Sequence, residues 1–223
     1  MAANERLAVP LSRLRWLLWA VVLLLAVVAA VLYLTLRSSG PSVTAAPPVS
    51  DVPAATWAAG AVRAPAFSLT DQSGAPVSLA ALRGRPVIIT FIDPLCRDFC
   101  PIEAQHLNDV ANAFPKASKP AIVAVSVNVY GNAHATLMQD ARKWKLVPEW
   151  RWGIGRATQL SRVWDAYHVQ VLVATRKVAG VTVHTIGHTE AAYVIDSKGY
   201  QRALFLWPYG AGGVVRTLRA LTP

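Results

Sequence analysis

The chain has 223 residues, enough for one ordinary domain plus an anchoring or targeting segment, but two full domains would be crowded. Its formal net charge is +10, and the basic residues are scattered rather than clustered, which argues against nucleic acid as a partner. A basic domain suits an anionic lipid surface or an acidic protein, although a solvated basic surface explains the charge more simply.

An uncharged apolar stretch near the start of the chain predicts a transmembrane helix. Residues 16–36 (WLLWAVVLLLAVVAAVLYLTL) match the roughly 30 Å hydrocarbon core of a bilayer at helical rise. Trp16, Trp19 and Tyr33 lie toward its ends, where aromatic rings favour the membrane interface. A cleaved signal peptide is the alternative, but its apolar region usually runs to about 7–15 residues.

The charges and composition around this stretch predict the topology. Residues 1–15 carry three arginines, whereas Arg37 alone follows the span closely, so the N-terminus is expected in the cytoplasm. Residues 37–61 are rich in Pro, Ala and Ser without an apolar period, which predicts a flexible linker. Residues 62–223 then form an extracytoplasmic globular domain.

The pattern in this domain alternates between strands and helices. Residues 86–92 (PVIITFI) and 121–129 (AIVAVSVNV) are almost wholly apolar and β-branched, which is typical of central parallel strands covered on both faces. Residues 101–114 have apolar side chains at helical spacing between them. The three segments predict a strand, helix, strand unit.

The remainder of the domain predicts further helices and one hairpin. Leu160, Val163 and Tyr167 lie on one face of an amphipathic helix. Residues 191–207 (AAYVIDSKGYQRALFLW) predict two strands joined by a tight turn, and a closing helix includes 214–221. The fold class expected is an α/β domain with a central sheet flanked by helices.

The two cysteines of the chain, Cys96 and Cys100, lie in the stretch FIDPLCRDFCP. Cys96 follows the carboxyl end of a predicted central strand, where open α/β sheets place functional groups. Pro101 favours the first positions of the next helix, so Cys100 is expected at or beside its N-cap, where the helix dipole stabilises a thiolate. The spacing permits a structural disulfide, a redox couple or part of a metal site.

A metal site needs another ligand, and two thiolates with an imidazole favour copper, with zinc as the rival. His188 stands just before a predicted strand that should neighbour the cysteine loop, so it is the favoured candidate. His106, His134 and His168 have helix-capping, solvent-facing or outward-pointing explanations, which leaves His184 as the other candidate beside His188.

The segments FIDPLCRDFCP and GHTEAAYVIDSKG together resemble the Sco/SenC family, membrane-anchored proteins of thioredoxin-like fold. The similarity extends over roughly residues 64–221 and includes QLSRVWDAYHV, and Asp98 matches an acidic position of the motif. Two features depart from the pattern. The family's Ser-Val-Asp-Pro run is replaced by SVNVYGN at 126–132, and Glu190 stands near the position of the cis-proline of thioredoxins.

The resemblance implies a copper-binding metallochaperone. Cys96, Cys100 and His188 correspond to the family's metal ligands, for Cu(I) and, in the same site, Cu(II). The implied partner is a copper-acceptor protein such as cytochrome c oxidase subunit II, whose copper A centre is assembled with the family's help. The alternative is a thiol-disulfide oxidoreductase that uses Cys96 and Cys100 to reduce the acceptor's cysteines; peroxide reduction lacks the flanking residues it requires.

Overall fold

The computed structural model describes residues 11–38 and 49–221, which fall into two compact units, Met1–Ala46 and Pro47–Pro223. The first unit contains α1, Leu11–Ser38. Over residues 49–221 the second contains ten strands, four α-helices and three short 3-10 helices. The strands are β1 Ala55–Thr56, β2 Ser68–Thr70, β3 Pro76–Ser78, β4 Val87–Ile92, β5 Ala121–Ser126, β6 Trp150–Gly153, β7 Val171–Val178, β8 Val181–His188, β9 Ala191–Ile195 and β10 Gln201–Leu206; the helices are α2 Phe99–Asn112, α3 His134–Lys143, α4 Ala157–Ala166 and α5 Ala211–Arg219.

Helix α1 carries the predicted apolar stretch. The segment Arg15–Thr35 is long and apolar enough to cross a membrane, judged by length and composition. Its side chains are exposed around the whole helix, and a helix that is apolar on every side needs a non-aqueous or packed environment. The predicted cytoplasmic segment 1–15 falls mainly on residues outside the described part of the chain.

The second unit is built on a six-stranded sheet with the order β1-β10-β9-β4-β5-β6. Strands β4, β5 and β6 are parallel, whereas β9 is antiparallel to both β4 and β10. Every residue of β4 and β5 is buried, which explains why their sequences are apolar except for Thr90 and Ser126. The prediction of a central sheet flanked by helices is confirmed.

Helices and a small hairpin cover the two faces of this sheet. Alternate residues of β4 belong to different core clusters: Ile88 packs in the cluster with α2, α3 and α5, whereas Ile89 packs in the cluster with α4 and the hairpin of β2 and β3. This division follows from the two-residue repeat of side-chain direction along a strand. The helices therefore hold the carboxyl ends of β4 and β5 in fixed positions.

Two parts of the structure differ from the sequence-based expectation. The stretch 49–61, assigned to a flexible linker, packs against the domain, since Ala55 and Thr56 pair with β10 and the Ser50 amide donates to the Pro208 carbonyl. Pairing at a sheet edge uses backbone groups and needs no apolar repeat. The remainder of that predicted linker includes 39–48, which lie outside the described residues.

The second difference is the long hairpin of β7 and β8, which the sequence analysis did not predict. Its two strands pair from Val171 opposite His188 to Val178 opposite Val181, and most of its residues are at least partly exposed. The ring of His184 stacks on Tyr130 with centroids 3.9 Å apart, which joins the hairpin to the segment after β5. The last residue of this hairpin is the candidate ligand His188.

Replacing Gly213 with alanine should detach the segment 49–56 from α5. A Cβ atom there would overlap the Asp51 carbonyl oxygen, so the backbone must move. We expect the free energy of unfolding to fall by about 1–3 kcal/mol, the usual cost of overpacking, and proteolysis near Asp51 to accelerate. Urea denaturation and limited proteolysis of the full chain in detergent would measure both effects.

Gly212→Ala is the matched control, because its Cβ meets only side-chain ends of Asp51 and Arg216. That variant should gain up to about 1 kcal/mol from helix propensity. Equal stability of the two variants would contradict the packing of this segment on α5.

Candidate metal centre

The loop that carries the cysteines connects β4 to α2 and is held by Asp93. The backbone N–H of Leu95 donates to Asp93 Oδ1 at 2.7 Å, and the N–H of Cys96 donates to the Asp93 carbonyl at 3.0 Å. The Asn128 side chain, just past β5, donates to Asp93 Oδ1 at 2.9 Å. These bonds fix the loop at the carboxyl end of two neighbouring parallel strands, which is the expected location of a functional site.

Helix α2 begins at Phe99, two residues before the start that Pro101 suggested. The first amides of a helix have no intrahelical acceptor, so proline is tolerated at the third position and the helix can begin earlier. Cys100 is thus the second residue of α2 rather than its N-cap, and it is 1% exposed. Asp98 occupies the N-cap position without a side-chain capping bond.

The two cysteines are free thiols in contact with one another. The Cys100 backbone N–H donates to Cys96 Sγ at 3.5 Å, and Cys96 is partly exposed whereas Cys100 is buried. The hydrogen bond from the Cys100 thiol, aided by backbone N–H groups of the first turn, lowers the pKa of Cys96 to about 6 despite partial burial. The same bond, burial and the neighbouring charge raise the pKa of Cys100. Cys96 is therefore the thiolate of the pair at neutral pH.

The pairing of β4 with β9 brings the distant histidine to this loop. Because the strands are antiparallel, with Thr90 opposite Ala192, the beginning of β9 lies beside the end of β4. A ring nitrogen of His188, the sulfur of Cys100 and a carboxylate oxygen of Glu190 all lie within 4.8 Å of one another. Cys96 is outside this group but contacts Cys100.

The surroundings of His188 keep its imidazole neutral, which is the form that can bind a metal. Burial lowers its pKa, so the imidazole is uncharged at neutral pH. Its Nδ1 lies 3.2 Å from the carbonyl oxygen of Thr189, which can only accept a hydrogen bond. The proton therefore resides on Nδ1, and Nε2 keeps the lone pair needed for coordination.

The other four histidines lie elsewhere. His106 Nδ1 contacts the Tyr209 carbonyl at 3.0 Å, and His134 contacts the Gln72 carbonyl at the start of α3. His184 is bonded to Thr175 and stacks on Tyr130 in the exposed hairpin. His168 follows the end of α4. Among the described residues, His188 alone of the histidines joins the candidate group.

Two carboxyl groups that the sequence analysis did not select as site residues lie close enough to the cysteines to interact with their charge. Burial, followed by the charge of Cys96, raises the pKa of Glu190. Glu103 is fully buried, which raises its pKa to about 7, and its Oε1 accepts hydrogen bonds from Thr90 at 2.5 Å and Tyr209 at 2.7 Å. In the described part of the chain, Glu103 Oε2 has no hydrogen-bond partner.

No basic side chain of the described residues pairs with these two carboxyl groups. Arg97, within the cysteine loop, pairs with Asp140 at 3.5 Å and donates to two loop carbonyls. Over residues 11–38 and 49–221, neither Glu103 nor Glu190 forms an ion pair with a basic residue. Two thiols, a neutral imidazole and an unpaired carboxylate in one basic domain form a donor set that fits a soft or borderline cation.

Comparison with solved structures defines the class of fold. The chain is 20% identical to the thioredoxin domain of a thiol-disulfide oxidoreductase from Bacteroides vulgatus, with a TM-score of 0.53 over 75% of this chain and 99% of the other. It is 24% identical to copper-bound ScoI from Bradyrhizobium japonicum, with a TM-score of 0.62 over 73% and 100% of the chains. For copper-bound yeast Sco1 the identity is 18% and the TM-score 0.62, over 71% and 87%. The domain has a thioredoxin-like fold, as predicted.

The family follows from the sequence itself. The model of the SCO1/SenC family matches residues 57–222, which is most of the chain. The chain belongs to the SCO1/SenC family, and the resemblance drawn from its motifs is confirmed. No curated protein matches the sequence closely enough to serve as a relative.

The difference between the two thiols predicts selective alkylation of the reduced, metal-free chain. Iodoacetamide should modify Cys96 with a rate that rises as the pH passes through about 6, because its thiolate forms there. Cys100 should stay unmodified at neutral pH. Mass spectrometry of peptides after timed reaction would give both rates.

Two variants control this experiment. Cys100→Ala removes the main cause of the low pKa, so the rate of Cys96 alkylation should rise only at higher pH. Cys96→Ala should leave a chain that reacts slowly from pH 6 to pH 8. Faster modification of Cys100 than of Cys96 in the unmodified sequence would contradict the assigned roles.

Proposed function

We propose that this chain is a membrane-anchored, extracytoplasmic copper-binding protein that serves as a metallochaperone for the copper A centre of cytochrome c oxidase. The observation that carries the proposal is the approach of His188 to the Cys96 and Cys100 loop within the SCO1/SenC fold. Both thiols are free, as copper binding requires. ScoI from Bradyrhizobium japonicum and yeast Sco1 have been solved with copper bound, which supports copper as the cargo here.

The ligands suit Cu(I) in a three-coordinate site. Cys96 is already a thiolate at neutral pH, whereas the buried Cys100 must lose its proton when the metal binds. Nε2 of His188 supplies the third ligand. Because soft sulfur donors prefer Cu(I) to hard divalent cations, this set selects for copper with zinc as the main competitor.

Transfer then proceeds by ligand exchange. Thiolate and imidazole groups of an acceptor replace Cys96, Cys100 and His188 one at a time, and the copper keeps its oxidation state throughout. Cys96 is the first to exchange because it is the more exposed of the two cysteines. Oxidation of both thiols to a disulfide removes both sulfur donors together with two protons and two electrons, so copper binding requires the reduced pair.

The anchor and the acceptor complete the proposal. The helix Leu11–Ser38 supplies a segment of suitable length, and the arginines before it favour a cytoplasmic N-terminus. The domain then lies outside the cytoplasm, next to membrane proteins that receive copper. Cytochrome c oxidase subunit II is the acceptor that best suits a member of this family.

The difference in pKa and exposure between the Cys96 and Cys100 thiols favours a second function. A partly exposed thiolate of low pKa beside a buried thiol is the arrangement of a thiol-disulfide oxidoreductase. Cys96 would attack one sulfur of an acceptor disulfide to form a mixed disulfide. The Cys100 thiolate would then attack the Cys96 sulfur and displace the acceptor's remaining sulfur as a thiolate, which leaves the acceptor reduced and the Cys96–Cys100 pair oxidised.

His188 separates the two functions. His188→Ala should weaken Cu(I) binding by more than about 100-fold, since even the outer partners of metal ligands are worth about 10–100-fold. The Cys96 and Cys100 pair should still cycle between dithiol and disulfide. Competition with a Cu(I) chelator and titration in glutathione buffers, both on the full chain in detergent, would measure these properties.

His134→Ala is the matched control, because that imidazole is exposed at the start of α3 and lies outside the candidate group. It should bind Cu(I) as the unmodified chain does. Unchanged Cu(I) affinity in His188→Ala, with the redox couple retained, would favour the oxidoreductase over the metallochaperone.

A further inference from the structure

Glu190 lies in the candidate metal centre although neither the spacing of the cysteines nor the family motif selects it as a ligand. One of its carboxylate oxygens is within 4.8 Å of both the Cys100 sulfur and a ring nitrogen of His188. Among the described residues, its side chain has no hydrogen-bond or ion-pair partner, although the residue is only partly exposed. A partly buried carboxylate without a partner is costly unless it is protonated or a cation is bound beside it.

The local backbone directs this carboxylate toward the metal centre. In an extended chain, residues two apart point the same way, so Glu190 shares its direction with His188. Thr189 between them is bonded to the hairpin instead: its N–H donates to the Gln170 carbonyl at 3.0 Å, and its hydroxyl accepts from the Gln170 N–H at 3.2 Å. The Trp207 N–H donates to the Glu190 carbonyl at 3.1 Å, which secures the backbone on the other side.

A carboxylate oxygen changes what the site can hold. Sulfur and imidazole satisfy Cu(I), which is soft and accepts low coordination numbers. Cu(II) favours four ligands in a tetragonal arrangement and accepts oxygen and nitrogen readily. An oxygen ligand next to the two cysteines and the histidine therefore stabilises the oxidised metal more than the reduced one.

We propose that Glu190 is a fourth ligand that binds Cu(II) but not Cu(I), and that it sets the preference of the site between the two oxidation states. This inference rests on the copper-binding function proposed above. Delivery of Cu(I) would then leave Glu190 free, whereas arrival of Cu(II) would engage it.

The test compares Glu190→Gln with the unmodified full chain in detergent, loaded with Cu(I) or Cu(II). Glu190→Gln keeps the shape of the side chain and removes its charge. We expect Cu(II) affinity to fall about tenfold and Cu(I) affinity to stay the same, which raises the one-electron Cu(II)/Cu(I) potential by about 59 mV. The electron paramagnetic resonance spectrum of bound Cu(II) should change, because an equatorial oxygen ligand is lost.

Asp98→Asn is the control for a general loss of negative charge, since Asp98 lies between the cysteines but outside the candidate group. It should alter neither the spectrum nor the ratio of the two affinities. Unchanged Cu(I) binding in Glu190→Gln also shows that the variant is folded.

Three results would overturn the proposal. An unchanged Cu(II) spectrum and affinity in Glu190→Gln would show that the carboxylate is not a ligand, while copper binding by the unmodified chain would leave the proposed function intact. Equal losses of Cu(I) and Cu(II) affinity in Glu190→Gln, also seen in Asp98→Asn, would show that Glu190 acts only through its charge and not as a ligand. Failure of the unmodified chain to bind either ion would overturn both the inference and the proposed function.

Discussion

The antiparallel pairing of β9 with β4 is the constraint on which the candidate metal centre depends. The cysteine loop leaves the carboxyl end of β4, and β9 begins at that same end because the two strands run in opposite directions. His188 and Glu190 immediately precede β9, so they reach Cys100 although about 90 positions of sequence separate them. A helix-covered sheet with fully buried central strands keeps this register fixed.

The protonation states of these groups determine which ion they can bind. The Cys100 thiol stabilises the thiolate of Cys96, and burial keeps His188 neutral. Glu103 and Glu190 add carboxyl groups that no basic residue of the described chain neutralises. The protein as a whole is strongly basic, so the collection of thiol and carboxyl groups at this one place is a local property. Such a donor set suits a cation, and its sulfur content favours a soft one.

The sequence predicts the fold well wherever burial governs the pattern. Strands β4 and β5 are visible as apolar runs because both faces are covered, whereas the hairpin of β7 and β8 is mostly exposed and gives no such signal. Strand β1 was missed because two residues that pair through their backbone need no apolar repeat. For the site, the position of His188 before a predicted strand and the family resemblance led to the choice of Cys96, Cys100 and His188, but neither selected Glu190. Side chains alternate in direction along His-Thr-Glu, so the histidine and the glutamate point the same way. This identifies Glu190 as a site residue only when the strand that pairs with β9 is known.

The central claim is that the metal is coordinated by Cys96 and Cys100, which follow β4, together with His188, which precedes β9. X-ray absorption spectroscopy of the Cu(I)-loaded full chain tests it most directly. Two sulfur ligands and one imidazole nitrogen are expected, and the imidazole contribution should disappear in His188→Ala while both sulfurs remain. Sulfur-only coordination that is identical in the unmodified chain and in His188→Ala would contradict the account.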